Sequence, residues 1–282
     1  MVLAHLKNFL NFVKIEHTLF SLPLIYSGVF LASKQAPSAR LLILVLLAAV
    51  GARTAALALN RIIDREIDRR NPRTAGRELA SGKLTLREAG LVLMGGVALY
   101  LVAAGMISVF CLAISPLPLI IFTAYPYMKR FTPLAHFGVG LGLAMAPLGG
   151  WFAVQQSFEN PLPAVLLTLF TLFWVAGFDI IYSTLDEMFD RSENLHSFTS
   201  RFGKNKALRI SGFLHTAAFL MLVILFATYV RALISFVFLV SAGILLYLEH
   251  RKSDDVELAF FRINAVVGFA VLGMVLTGVN VE

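Results

Sequence analysis

Residues 48–79 read AAVGARTAALALNRIIDREIDRRNPRTAGREL, an apolar helical run that passes directly into a densely charged segment. On a helix, Asn60, Asp64 and Asp68 fall at i, i+4 and i+8 and share one face. A stretch that is oily along its length and acidic at its end describes a helix that crosses lipid and emerges at a membrane surface.

The rest of the chain agrees with that reading. Hydrophobic residues fill 58% of the 282 positions and charged residues 15%, a balance that a water-soluble domain would struggle to keep in solution. Crossing roughly 30 Å of hydrocarbon takes about 20 helical residues. Windows of that size fit nine times, near 17–34, 41–60, 89–107, 109–127, 134–154, 162–182, 209–229, 232–249 and 260–279. The expected fold is all-α: a polytopic membrane bundle of about nine transmembrane helices, forming one domain over residues 1–282. The opening residues, MVLAHLKNFLNFVKIEHTLF, lack a small-residue cleavage pattern, so no removable signal peptide is expected.

Charge supplies the orientation. With the N-terminus inside, the outer segments hold only Lys34, Arg40 and Arg231, and Arg53 lies within a span. Every other Lys and Arg falls on the inner side, as the positive-inside rule requires. The expected protein is a multi-pass protein of the cell inner membrane, with its C-terminus outside and its chemistry on the cytoplasmic face. A pI near 9.7 does not argue for nucleic acid, because the basic residues form short clusters between apolar runs. Cys111 is the only cysteine and lies in an apolar run, which fits packing. Gly95, Gly96, Gly149 and Gly150 are expected to allow close helix contact. No His/Cys set has zinc spacing and no glycine-rich nucleotide loop occurs.

A second acidic stretch lies at the end of the sixth window: residues 178–197, FDIIYSTLDEMFDRSENLHS, carry Asp179, Tyr182, Asp186 and Asp190 at comparable spacing. Four spans separate the two stretches, which suggests a repeated four-helix unit followed by a ninth helix. Carboxylates one turn apart are costly to keep together without a cation. Magnesium takes oxygen ligands and is commonly held by one or two carboxylates together with substrate phosphates. Two such motifs facing each other would clamp a diphosphate. Solvated charges paired with Arg65, Arg69 and Arg70 would account for one acid, but not for two regular sets on the same expected face.

The paired motifs resemble those of the UbiA superfamily of intramembrane prenyltransferases, and the likeness covers nearly the whole chain. The first family motif, usually Asn-Asp-x-x-Asp-x-x-x-Asp, stands here as Asn60, Arg61, Asp64 and Asp68, with Arg61 replacing an acid. The segments KIEHTLFSLPLIYSG and WVAGFDIIYSTLDEMFDRSENLHS are most similar to the quinone-pathway branch, which includes 4-hydroxybenzoate polyprenyltransferases and related naphthoate enzymes. The resemblance implies that Asn60, Asp64, Asp68, Asp186 and Asp190 hold magnesium. It also implies that Arg73, Arg77 and Lys129 contact the diphosphate and that Tyr125 and Tyr182 stand beside the substrates.

Arg53 lies about two turns before Asn60, on the same helical face. An arginine within a span turns inward to a partner. Asp179 could pair with it; the resemblance instead places Arg53 on the acceptor side, where it would hold a carboxylate. The expected reaction transfers a polyprenyl group from its diphosphate to the ring of an aromatic acid, with 4-hydroxybenzoate the first acceptor and a naphthoate-type acceptor the alternative. Asp64 and Asp186 act on the diphosphate, and Asp179 assists loss of the ring proton. From another class, a cation-coupled transporter also uses intramembrane acids, but it would hold them near the midplane rather than at one boundary. A phosphotransferase acting on a nucleotide-linked alcohol would want both acid sets within one helix-loop-helix region. His196 is expected to be no more than a loop residue, and no obligate protein partner is evident.

Overall fold

The computed structural model describes residues 11–12, 18–33, 35–253, 255–256 and 262–279. Lys7, Lys14, Glu16, Lys34 and Glu282, on which part of the orientation argument rests, lie outside the described residues, as do both chain ends.

Among the described residues, regular structure is entirely helical. The helices are α1 (Thr18–Ala32), α2 (Ala39–Ile63), a short, charged α3 (Arg65–Arg70), α4 (Leu86–Ile107), α5 (Val109–Ile114), α6 (Pro116–Met128), α7 (Ala135–Gln155) and α8 (Leu162–Ser183). After two short helices, α9 (Glu187–Ser192) and α10 (Phe198–Phe202), come α11 (Lys204–Leu225), α12 (Leu233–Arg251) and α13 (Asn264–Gly278). In its described residues, each of the nine windows coincides largely with helix. Seven helical stretches are long and apolar enough to cross a membrane, counting α5 and α6 as one, whereas α1 and α13 are shorter among the described residues.

Local chemistry sets the boundaries. Ser38 caps α2 by accepting from the Leu41 amide at 3.2 Å, and Thr85 with Glu88 forms a capping box at the start of α4. The fourth window is not one straight helix. Ser108 caps α5 through the Cys111 amide at 3.1 Å, and Pro116, which lacks an N–H, starts α6 afresh. The seventh window begins earlier than expected, at Lys204, because Gly203 with φ 78° turns the chain from α10 into α11.

Two close crossings hold the first half of the bundle together. A Cβ on Gly150 would stand 2.0 Å from the Ile25 carbonyl oxygen, and one on Gly51 would stand 2.5 Å from the Tyr100 amide nitrogen, with Gly96 facing it. The expectation of contact therefore holds for Gly96 and Gly150. It fails for Gly95 and Gly149, which face open space because the neighbouring helical position points about 100° away. In the second half, the fully buried Trp174 donates its indole N–H to Asn264 at 2.8 Å. Asn264 donates in turn to Glu249 at 2.8 Å, so one polar chain ties α8, α13 and α12 inside an apolar core.

Candidate active site

A cavity of about 750 Å³ opens among α2, α6, α7 and α8, and both acidic stretches line it at one end of the bundle. Helix α2 does not run straight through the first motif. It ends at Ile63, and Asp64 leaves helical geometry (φ −92°, ψ 1°) before α3 resumes at Arg65. The Asp64 amide still reaches the Asn60 carbonyl at 2.9 Å, so Asn60, Asp64 and Asp68 stay on the cavity side across the bend.

Each acid of the first motif is held by an opposite charge. Asp64 Oδ2 accepts from Asn60 Nδ2 at 3.1 Å and from Lys129 Nζ at 2.7 Å, while its buried Oδ1 has no partner among the described residues. Burial lifts the Asp64 carboxyl above the ordinary range despite Lys129. Arg77 Nη1 bridges both Asp68 oxygens at 2.8 and 2.9 Å. Arg61, where the family has an acid, is buried away from the cavity lining and pairs with Glu78 at 3.3 Å. It belongs to the packing beneath the motif rather than to the acid cluster.

In the second stretch Asp179 and Tyr182 ride on α8, Asp186 sits in the turn after it, and Asp190 lies on α9. Asp186 accepts from Asn71 at 2.9 Å and from Arg73 Nε at 2.8 Å, with a further contact from Arg73 Nη2. Arg73 Nη1 donates to the Tyr182 hydroxyl at 2.6 Å while the guanidinium covers the Tyr182 ring. Burial alone would raise the Asp186 carboxyl, but the hydrogen bonds from Arg73 and Asn71 outweigh it and hold it below its usual value. Asp190 behaves oppositely: burial, with Asp186 adding to it, pushes its carboxyl up to about 6 against a hydrogen bond from Ser197.

Arg70 with Glu193 at 2.5 Å, Arg130 with the Ile63 carbonyl at 2.7 Å and the His196 amide with the Lys129 carbonyl at 2.7 Å close the same end. His196 lies in the loop between α9 and α10, as expected, and lines the cavity. Among the described residues, no three acids or histidines stand together as a ready-made metal cage. The cations expected on a diphosphate, Arg73, Arg77 and Lys129, pair here with Asp186, Asp68 and Asp64.

Deeper in the cavity stand Arg53 and Tyr125, with Tyr125 against Asn60. The possible Arg53–Asp179 pair does not form. Among the described residues Arg53 has no ion pair, and its buried Nε has no hydrogen-bond partner. Asp179 is taken by His136, whose Nδ1 lies 2.6 Å from Asp179 Oδ2. His136 is absent from the residues that sequence singles out; its signal is a histidine opening the apolar helix of AHFGVGLGL. Beyond these polar groups the wall is apolar, including Ile25, Val45, Tyr100, Phe122, Phe152 and Val165.

Residues 21–266 match the family model described as the UbiA prenyltransferase family. A 4-hydroxybenzoate octaprenyltransferase of Polynucleobacter asymbioticus is 31% identical, with 90% of this chain and 89% of that protein covered. One of Aliivibrio salmonicida is 27% identical, with 95% and 96% covered. Among solved structures, the apo structure of a UbiA homolog from Aeropyrum pernix K1 superimposes with a TM-score of 0.87 at 34% identity, covering 93% of this chain and 98% of that one. A UbiA homolog from Archaeoglobus fulgidus bound to GPP and Mg2+ shares the fold, with a TM-score of 0.70 at 20% identity over 94% of this chain and 99% of that one.

Proposed function

The chain belongs to the UbiA prenyltransferase family, and on that premise we propose that it transfers a polyprenyl group from its diphosphate to the ring of an aromatic acid, with 4-hydroxybenzoate the first acceptor. The observation that carries the proposal is the meeting of two acid sets, more than a hundred residues apart in sequence, across one cavity that is polar at one end and apolar at the other. The relatives named for 4-hydroxybenzoate favour this acceptor over a naphthoate.

The donor set fits a hard divalent cation. It consists of carboxylate and amide oxygens, and among the described residues the buried Asp64 Oδ1 has no partner. Asn60, Asp64, Asp68, Asp186 and Asp190 are the residues that would hold magnesium. When bound, the metal neutralises charge on the diphosphate as it leaves.

The chain's own groups do the rest. Lys129, Arg73 and Arg77, freed from Asp64, Asp186 and Asp68, are placed to take the diphosphate oxygens. The Tyr182 ring stands under Arg73, where it can face the allylic carbon as its C–O bond breaks. The apolar wall keeps water from the resulting cation. Arg53 is placed to orient the acceptor's carboxylate, and Asp179 to take the ring proton. A transporter reading is disfavoured, since the acid motifs cluster at one end of the bundle rather than at its middle.

We place residues 61–88 and 183–208 on the cytoplasmic face, within a single domain over residues 1–282. The test is incubation of the purified protein with labelled polyprenyl diphosphate, magnesium and a panel of aromatic acids, followed by product mass. A C-prenylated aromatic acid is expected; release of diphosphate with no prenylated acid would overturn the acceptor class. Membrane-impermeant labelling of cysteines placed at Ser81 and Asn194 checks the sidedness, and reaction from opposite faces would refute it.

A further inference from the structure

Among the described residues, Asp179 is the only cavity acid bonded to a histidine, and that histidine is itself fixed from behind. His136 stands in the first turn of α7, 5% exposed, with Nδ1 2.6 Å from Asp179 Oδ2. Its other ring nitrogen, Nε2, accepts the backbone N–H of Phe198 at 3.3 Å. An amide N–H can only donate, so Nε2 must present its lone pair and the ring proton must sit on Nδ1. His136 is therefore a donor to Asp179, and Asp179 Oδ2 an acceptor. With Oδ2 engaged, Oδ1 is the oxygen left to meet a substrate in the cavity that Asp179 lines.

Behind Phe198 the connection continues towards the diphosphate end. Ser197, which caps α10 by accepting from the Ser200 amide at 3.1 Å, also shares a hydrogen bond with Asp190. The His136 and Phe198 rings pack with centroids 5.6 Å apart. The segment running from α9 into α10 thus carries both a diphosphate-side acid and the amide that sets the tautomer of His136.

We infer that His136 is a positioning residue for the transfer step: it holds the Asp179 carboxylate in the orientation that removes the ring proton, and the Ser197–Phe198 turn holds His136. The inference deepens the aromatic-acceptor reading and rests on it. In the step, the donor's C–O bond breaks and diphosphate leaves with the electron pair. A ring carbon ortho to the acceptor's hydroxyl then forms the new C–C bond with a π pair. The cationic ring that results loses its proton from that carbon to Asp179 Oδ1, and the C–H electrons restore the aromatic ring. His136 exchanges no proton in this step.

The experiment compares wild type with His136→Ala and His136→Asn in lipid nanodiscs, using 4-hydroxybenzoate with and without deuterium at the ring positions ortho to its hydroxyl. Measured are kcat, KM for both substrates, magnesium-dependent binding of the prenyl diphosphate and the isotope effect on kcat. His136→Ala should lower kcat by roughly 10²-fold, the scale of a misplaced catalytic group. Donor binding should stay unchanged, and the isotope effect should rise clearly above that of wild type because proton removal has become slow. His136→Asn, whose amide N–H replaces Nδ1–H, should recover most of kcat. His136→Phe keeps the ring packed on Phe198 and replaces the alanine variant should that one fail to fold. An unchanged kcat, a loss of donor binding in step with activity, or an isotope effect that does not move would overturn the inference. A wild type that prenylates no aromatic acid would instead refute the acceptor reading, and this inference with it.

Discussion

The Asn71 side-chain amide donates to Asp186 Oδ1 at 2.9 Å across 115 residues of sequence, and this bond helps join the segment after the first acidic motif to the acid of the second. Arg73 reaches the same carboxylate from two positions further along. Asn71→Leu removes the uncharged tie and leaves the charged one, so the fold should lose only about 1 kcal/mol. The magnesium concentration for half-maximal activity should rise, since the two halves of the clamp are no longer held in register. Magnesium titrations of activity check this; an unchanged midpoint would separate Asn71 from the metal site.

Asp64→Ala and Asp186→Ala should each abolish turnover while leaving the helical content intact, because both act on one diphosphate. Groups that work as a unit give losses that do not multiply. Rates of the two single variants and the double variant decide the matter, and a fully multiplicative loss would indicate two separate sites.

Arg53 faces the cavity without an ion pair among the described residues. If it holds the acceptor's carboxylate, Arg53→Ala should weaken use of the acid by about 1.5–3 kcal/mol, the scale of a charge-assisted hydrogen bond. The corresponding uncharged amide should be used equally well by both proteins. Titration of acid and amide, with donor binding measured separately, tells acceptor binding from a structural role.

Asp190 is protonated below about pH 6 because burial penalises its charge. Since its folded value is raised, this group costs the metal-free fold stability as pH rises through about 6, and a bound cation offsets that cost. Magnesium affinity should therefore fall on acidification through the same range. Asp190→Asn should flatten that dependence; magnesium binding measured across the range, in wild type and variant, provides the comparison.

The Trp174–Asn264–Glu249 chain lies outside the cavity lining. Asn264→Leu deprives the indole N–H and one Glu249 oxygen of the side-chain amide they share inside apolar surroundings, at a cost of about 1–3 kcal/mol for each buried group. A lower thermal midpoint is expected, with kcat per folded molecule preserved. Loss of kcat at an unchanged midpoint would show that the chain communicates with the site.

Hydropathy, charge sign and the spacing of acids are one-dimensional properties, and they determined that this chain is a helical membrane bundle with two acidic motifs, a family likeness and a short roster of cavity residues. Asp64, Asp68, Asp186 and Asp190 were legible because carboxylates spaced by helical turns at the ends of apolar helices repel one another unless a cation joins them, and Asn60 because it shares their helical face. Only the tertiary structure decided who partners whom. It bent the first motif at Asp64, turned Arg61 away to Glu78, gave Arg73 to Asp186 and Lys129 to Asp64, and denied Asp179 to Arg53. His136 became visible only when α7 packed beside α8. A hydrogen bond depends on distances of a few tenths of an ångström between atoms far apart in sequence, and helical periodicity fixes the face of a residue without fixing the neighbour that face will meet.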